Sequence, residues 1–199
     1  MKIIGLTGSI AMGKSEVAHI LKKHGVPVLE SDAVVHDIYE DGSGAEILRN
    51  EFAAAVKGKV VQRNVLSKTV LGAPQKLQRL EELIHPLVKA RQAGFIAEQR
   101  KKGAGVVVLD IPLLFETGDP PAFDAVIVVS APEERQRQWA LSRKAMTEEK
   151  FRAILSRQMP DSEKRKRASH VIKNDGSLAD LEKKTLNVLN QIMAEEKRI

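Results

Sequence analysis

Lys2-Ile3-Ile4-Gly5-Leu6-Thr7-Gly8-Ser9-Ile10-Ala11-Met12-Gly13-Lys14-Ser15 opens the chain, and its reading decides the fold. The first six residues predict a short buried strand. Gly8 to Ser15 match G-x-x-x-x-G-K-[ST], and Val17, Ile20 and Leu21 follow at helical spacing. Strand, glycine-bearing turn and helix thus come in the order that a phosphate-binding loop requires. Glycines let the backbone curl until its N–H groups face an anion, and the helix N-terminus adds a favourable dipole. In such a loop the lysine, here Lys14, reaches the β and γ phosphate oxygens, and the hydroxyl of Ser15 binds Mg²⁺.

Outward from this loop, Gly25-Val26-Pro27 breaks the chain before Val28-Leu29, a second strand ending in Glu30-Ser31-Asp32. A helix is predicted from about Ala33 to Tyr39. Between Ala45 and Lys102 no strand run stands out. Leu77, Leu80, Leu83 and Ile84, then Leu87, Val88, Phe95 and Ile96, predict successive helices, with His85-Pro86 at a helix start. Strand character returns in Val106–Asp110, in Ala125–Val129 and briefly in His170–Ile172. Continuous β-branched runs of this kind belong to parallel strands covered on both faces. The alternation predicts an α/β three-layer sandwich with a mainly parallel sheet, the phosphate-loop NTPase architecture.

The composition excludes several chemistries. Among 199 residues there is no Cys, which rules out disulfides, thiolate catalysis and Cys-ligated metals. A hydrophobic fraction of 43% is too high for a disordered chain, and no apolar run is long enough to cross a bilayer. The expected location is cytoplasmic, with no membrane partner. The formal charge of +6 is concentrated late in the chain, where Arg135 to Arg167 hold 11 basic and 4 acidic residues. Such a block suits nucleic acid, an anionic membrane or a polyanionic small substrate. With one Trp, one Tyr and five Phe the chain offers few stacking platforms, so no nucleic-acid partner is expected.

The candidate functional residues sit mostly where strands end. Asp32 follows the second strand, at the carboxyl edge where open α/β sheets bind ligands. It reads either as the acid that accepts the proton of an attacking hydroxyl or as a helix N-cap. Asp110 ends an apolar strand as a Mg²⁺-holding acid would, or caps the turn at Ile111-Pro112. Glu116 is a weaker candidate on the substrate side. Arg135, Arg137, Arg143, Arg152 and Arg157 flank a turn at Met146-Thr147, with Thr147 placed to cap the next helix. This is the pattern of a helical lid whose arginines neutralise charge on a transferring phosphoryl group. Asn174-Asp175-Gly176-Ser177 reads as a nucleotide-side loop or as a turn with Ser177 as N-cap. His85 reads as a substrate contact or as a helix-entry residue.

Taken together, Leu6-Thr7-Gly8, Asp32, Ile84-His85-Pro86, Asp110-Ile111-Pro112-Leu113-Leu114-Phe115-Glu116 and Val171-Ile172-Lys173-Asn174-Asp175-Gly176 resemble the dephospho-CoA kinase family over nearly the whole chain. The resemblance implies transfer of the ATP γ-phosphoryl group to the ribose 3′-hydroxyl of dephospho-CoA, with ATP and Mg²⁺ as cofactors and small molecules as substrates. It implies one kinase domain in three parts: a core of about 1–31, 104–134 and 168–199, a helical substrate side of about 32–103, and a lid of about 135–167. It implies catalytic roles for Asp32, Lys14 and Arg143, and ATP binding by Ala11, Met12, Gly13, Lys14, Ser15, Glu16, Arg143 and Asn174. Substrate contacts are implied for Asp32, His85, Asp110 and Leu113, metal binding for Ser15 and Asp110, and a monomer or weak homo-oligomer is expected. The chain departs from the family's usual G-G-I-G-x-G-K-S-T at Ser9, Ala11 and Glu16, and from its D-x-D at Glu30. The competing readings are another small phosphate-loop kinase acting on a nucleotide or metabolite, and a non-enzymatic nucleotide switch.

Overall fold

The computed structural model describes residues 1–116 and 122–195. The chain divides into two compact units, one formed by Met1–Val28 with Gln99–Ile199 and the other by Leu29–Glu98.

The first unit is organised by β1 (Lys2–Thr7), flanked in register by β5 (Val106–Asp110) and β6 (Ala125–Ser130), with both pairings parallel. β7 (His170–Lys173) extends the sheet parallel to β6, and β2 (Val28–Glu30) completes the order β2-β5-β1-β6-β7. One face of the central strands presents Ile4, Leu6, Val108, Ile127 and Val129. These meet Val17 and Leu21 of α1 (Lys14–Lys23) and Leu181 and Ile192 of α9 (Leu178–Ala194) in a single buried cluster. This explains why the strand runs are continuously apolar rather than alternating, because Val107, Leu109 and Val128 on the other face are also fully buried. A Cβ on Gly5, which faces that second side, would lie 2.8 Å from Leu114 Cδ1. Three helices follow β6: α6 (Glu133–Leu141), α7 (Glu148–Leu155) and α8 (Asp161–Arg167). Thr147 caps α7 as its sequence position predicts, its hydroxyl accepting the Lys150 N–H at 3.3 Å.

The second unit contains α2 (Ser31–Glu40), α3 (Ser43–Leu48), a 3₁₀ turn at Ala53–Ala55, α4 (Arg63–Val70) and most of α5 (Pro74–Lys101). Its core gathers Ile38, Leu48, Phe52, Leu66, Leu80 and Ile84. The sequence reading needs two corrections here. An antiparallel hairpin, β3 (Val56–Lys57) with β4 (Val60–Val61), lies in the stretch read as strand-free. Two-residue strands are too short to express any periodicity, and only the turn glycine Gly58, at φ +62°, marks them. His85 is also not at a helix start, because α5 runs through Pro86 without ending. Proline costs that helix the N–H bond to the carbonyl four residues earlier. Burial of Leu80 and Ile84, with Leu83, Leu87 and Val88 packed against the same cluster, holds one continuous apolar stripe across it.

Candidate active site

The loop between β1 and α1 is closed by left-handed backbone at two positions, Ala11 at φ 58° and Gly13 at φ 92°. A side chain at residue 13 would collide with the amide of Asn174, whose Nδ2 donates to the Met12 carbonyl at 3.2 Å, so glycine is required there on two counts. Within the loop itself, the Met12 N–H reaches the Ser9 carbonyl at 3.2 Å, while Glu16 and Val17 donate back to Gly13 as α1 begins. Outside contacts supply the rest. The Ala131 N–H points at Met12 Sδ at 3.0 Å, Gln158 Oε1 accepts the Ile10 N–H at 2.9 Å, and Gln136 Nε2 donates to the Ile10 carbonyl at 2.8 Å. The Ala11 methyl is buried against Ala140 and Phe151, with Trp139, Met146 and Leu155 around them.

Lys14 leaves the loop toward the end of β5, where its Nζ meets Asp110 Oδ1 at 2.5 Å. Asp110 is 3% exposed, so its carboxylate is an almost fully buried anion matched by a cation. The Ile111 N–H donates to the Leu6 carbonyl at 2.9 Å and the Thr7 hydroxyl to the Pro112 carbonyl at 3.0 Å, which fixes the turn after Asp110 beside β1. Leu113, two residues further on from Ile111, stands 40% exposed. Asn174 is held by its own N–H on the Ser130 carbonyl at 2.7 Å, and Ser177 and Asp180 form a reciprocal capping box at the start of α9. Glu16 lies in the first turn of α1, where an acid is favoured by the helix dipole.

The five arginines between Arg135 and Arg157 differ in their partners. Arg137 and Arg152 both pair with Glu148 and hold its carboxyl below the usual range, and Arg135 donates to the Gly176 carbonyl at 3.0 Å. Arg143, exposed in the turn after α6, and Arg157 meet no carboxylate among the described residues. Glu116 is not an open carboxylate: its Oε1 lies 2.8 Å from both the Met159 N–H and the ammonium of the fully buried Lys164.

Residues Ala11 to Ser15, Asp110 and Asn174 thus converge on one loop within the first unit. Asp32 and His85 belong to the second. There Asp32 is exposed in the first turn of α2, one residue past the start and two past the N-cap Glu30, so it does not cap the helix. Its neighbour Ser31 is buried, its hydroxyl accepting from Gln92 Nε2 of α5 at 3.2 Å. His85 is exposed on α5. Gln136 and Gln158 escaped the sequence reading, since a glutamine in a charged helical segment looks like any solvated residue.

A buried strand-end acid paired with a phosphate-loop lysine is the arrangement of a phosphoryl-transfer enzyme, and comparison with known proteins narrows the class. The family model described as dephospho-CoA kinase matches residues 2–180. The chain belongs to that family. Dephospho-CoA kinases of similar sequence include that of Rhizobium etli, 44% identical over 95% of this chain and 93% of its own length, and that of Mesorhizobium japonicum, 49% identical over 86% and 87%. Among solved structures, the Thermus thermophilus protein TT1252 matches with a TM-score of 0.81 at 38% identity, covering 96% of this chain and 97% of its own. Dephospho-CoA kinase from Campylobacter jejuni matches with a TM-score of 0.66 at 26% identity over the same shares. The mainly parallel five-stranded sheet of this chain is the one expected from the strand runs.

Proposed function

We propose that the chain transfers the γ-phosphoryl group of ATP to the ribose 3′-hydroxyl of dephospho-CoA, giving CoA and ADP. The observation that carries this reading is the Lys14–Asp110 pair at the mouth of the Gly8–Ser15 loop, within a chain of this family. The acceptor oxygen attacks the γ phosphorus, the bond from phosphorus to the β–γ bridging oxygen breaks, and the hydroxyl proton goes to Asp32. Little covalent chemistry is asked of the protein in such a transfer; its contribution is positioning and neutralisation of charge. Lys14 and the loop N–H groups hold the β and γ phosphates, Arg143 neutralises charge on the transferring group, and Asn174 supports the loop on the nucleotide side. Leu113 offers exposed apolar surface to the acceptor.

Mg²⁺ suits the donors present. Among the described residues no group of three or more His, Asp or Glu is placed to hold a metal ion by itself, and Mg²⁺ is usually held by one or two protein oxygens together with substrate phosphates and water. The Ser15 hydroxyl and the Asp110 carboxylate are donors of that kind. Ser15 and Asp110 would hold the ion, which would supply positive charge against that of the phosphates.

Incubation of the purified protein with Mg-ATP and dephospho-CoA, beside AMP, CMP, shikimate and gluconate, followed by mass spectrometry, tests the reading. CoA is the expected product. Phosphorylation of a control with dephospho-CoA untouched would refute the acceptor and leave the phosphate-loop kinase.

A further inference from the structure

We propose that Gln136 and Gln158 are positioning residues that set two successive peptide planes of the phosphate loop and so aim the Ala11 N–H at the bound polyphosphate. The inference rests on ATP being the donor, not on the identity of the acceptor.

Ile10 sits at the crown of the loop, and both of its backbone polar groups are taken by glutamine side chains: N–H to Gln158 Oε1 at 2.9 Å and C=O from Gln136 Nε2 at 2.8 Å. A trans peptide unit is planar, with its N–H and C=O on opposite sides. Holding the Ile10 N–H toward Gln158 therefore turns the Ser9 carbonyl the other way, where it accepts the Met12 N–H. Holding the Ile10 carbonyl toward Gln136 turns the Ala11 N–H away from α6. That N–H has no acceptor among the described residues, which leaves it for an anion. Neither glutamine is casually placed. Gln136 is 3% exposed, although it lies in the strongly polar helix α6, and Gln158 is fixed by its neighbour Met159, whose N–H is held by Glu116.

The loop cannot keep this shape alone. It has one internal hydrogen bond before α1 begins, and it contains a non-glycine residue, Ala11, in the left-handed region. Without the two amides, the Ser9–Ile10 plane is held only by the Met12 N–H on the Ser9 carbonyl and the Ile10–Ala11 plane by no hydrogen bond, and the loop must order them when ATP binds. α6, which supplies Gln136, also supplies Ala140 against Ala11 and leads into the turn bearing Arg143. The donor and acceptor roles are opposite at the two positions, because a backbone N–H requires an acceptor and a carbonyl requires a donor.

That polarity gives the test. ATP dissociation constants from titration calorimetry and kcat and KM with dephospho-CoA are measured for Gln158→Glu, Gln158→Met, Gln136→Glu and Gln136→Met, with Tm for each. Gln158→Glu keeps an acceptor and should remain within about threefold of the parent in ATP affinity, whereas Gln158→Met and Gln136→Met should weaken it about tenfold or more, the loss of one part-buried hydrogen bond. Gln136→Glu sets a carboxylate against a carbonyl and should be as weak as Gln136→Met at pH 8. Its affinity relative to the parent should recover as pH falls and the carboxyl gains a proton to donate, while Gln158→Glu should show no such recovery. If the buried Gln136 variants fail to fold, the Gln158 pair decides alone. Equal effects of Glu at both positions, or lowered Tm with unchanged ATP affinity in the two Met variants, would overturn the proposal. Because the titration needs no acceptor, a parent enzyme that binds ATP but ignores dephospho-CoA would refute the acceptor reading and leave this one to stand on the binding data.

Discussion

Replacing Lys14 by Met removes the cation from an Asp110 carboxylate that is only 3% exposed, and stability and catalysis should both fall, for separable reasons. Breaking a buried pair by deleting one partner costs about 3–5 kcal/mol, and the 15% exposure of the Lys14 side chain argues for the low end, about 3 kcal/mol. For a chain of this size each kcal/mol moves Tm by about 2–4 °C, so Lys14→Met should melt about 6–12 °C below the parent. Asp110→Asn should cost less, since the ammonium it leaves is on a side chain 15% exposed against 4% for the Asp110 side chain, and is the easier of the two charges to solvate. The double variant Lys14→Met/Asp110→Asn should then be more stable than the sum of the single effects, by a coupling of about 1–3 kcal/mol, as residues in direct contact give. Activity should not follow. Both residues are proposed to act on the phosphates, and loss of one preorganised charge contact costs about 10²–10³ in kcat, so the double variant should regain Tm while staying inactive. Thermal unfolding beside a coupled ADP-release assay reads both quantities. A Lys14→Met protein that melts with the parent would refute the pairing, and a double variant that regains turnover would refute the role assigned to either residue.

Asp32→Asn should lower kcat far more than it changes KM for ATP, because the acid is proposed to act on the acceptor proton; a pure KM effect in steady-state kinetics would demote it to positioning. Arg143→Ala should slow turnover by about 10³, the lower end for an arginine that neutralises transferring phosphate, whereas Arg137→Ala, already committed to Glu148, should change it little. If both variants behave alike in the same assay, the role proposed for Arg143 is refuted. Glu148 is held below the usual carboxylate range by Arg137 and Arg152, so its contribution to stability is present above that range and is lost as pH falls through the lowered value. Glu148→Gln should therefore lower Tm at pH 7, and the gap to the parent should close in strongly acidic buffer.

The strands that build the sheet were legible because each is a continuous apolar run, and Val107, Val108 and Leu109 are buried on both faces as that pattern implies. The loop was legible because glycine and lysine at fixed spacing leave few alternatives. Helix ends were read less well. Glu30-Ser31-Asp32 carries three residues that all favour a helix start, and only the buried Ser31 hydroxyl, engaged by Gln92 61 positions away, sets the boundary. Pro86 misled because local chemistry says that proline ends a helix, while the packing of Ile84 and its neighbours decides otherwise. The amides on Ile10 were invisible for a different reason. Gln136 and Gln158 lie more than 120 residues from the loop they hold, and no local pattern distinguishes a glutamine that will be buried against a backbone from one that will face water.

Ala11 illustrates how the departures from the family pattern are absorbed. A left-handed alanine costs about 1–2 kcal/mol relative to its preferred conformation, which glycine would avoid. Against that stand about 0.8 kcal/mol for a buried methyl and about 0.5–1 kcal/mol for the lower backbone entropy of an unfolded alanine, so the two residues come out nearly equal. Ala145 has the same backbone, at φ 63°, but its methyl is exposed and contributes no burial. Ala145→Gly should therefore raise Tm relative to the parent by more than Ala11→Gly does, by about 2–3 °C, the buried methyl alone. Equal shifts would mean that the contact of Ala11 with Ala140 and Phe151 contributes nothing, and that the tie between the phosphate loop and α6 rests on the Gln136 amide and the packing of Ile10.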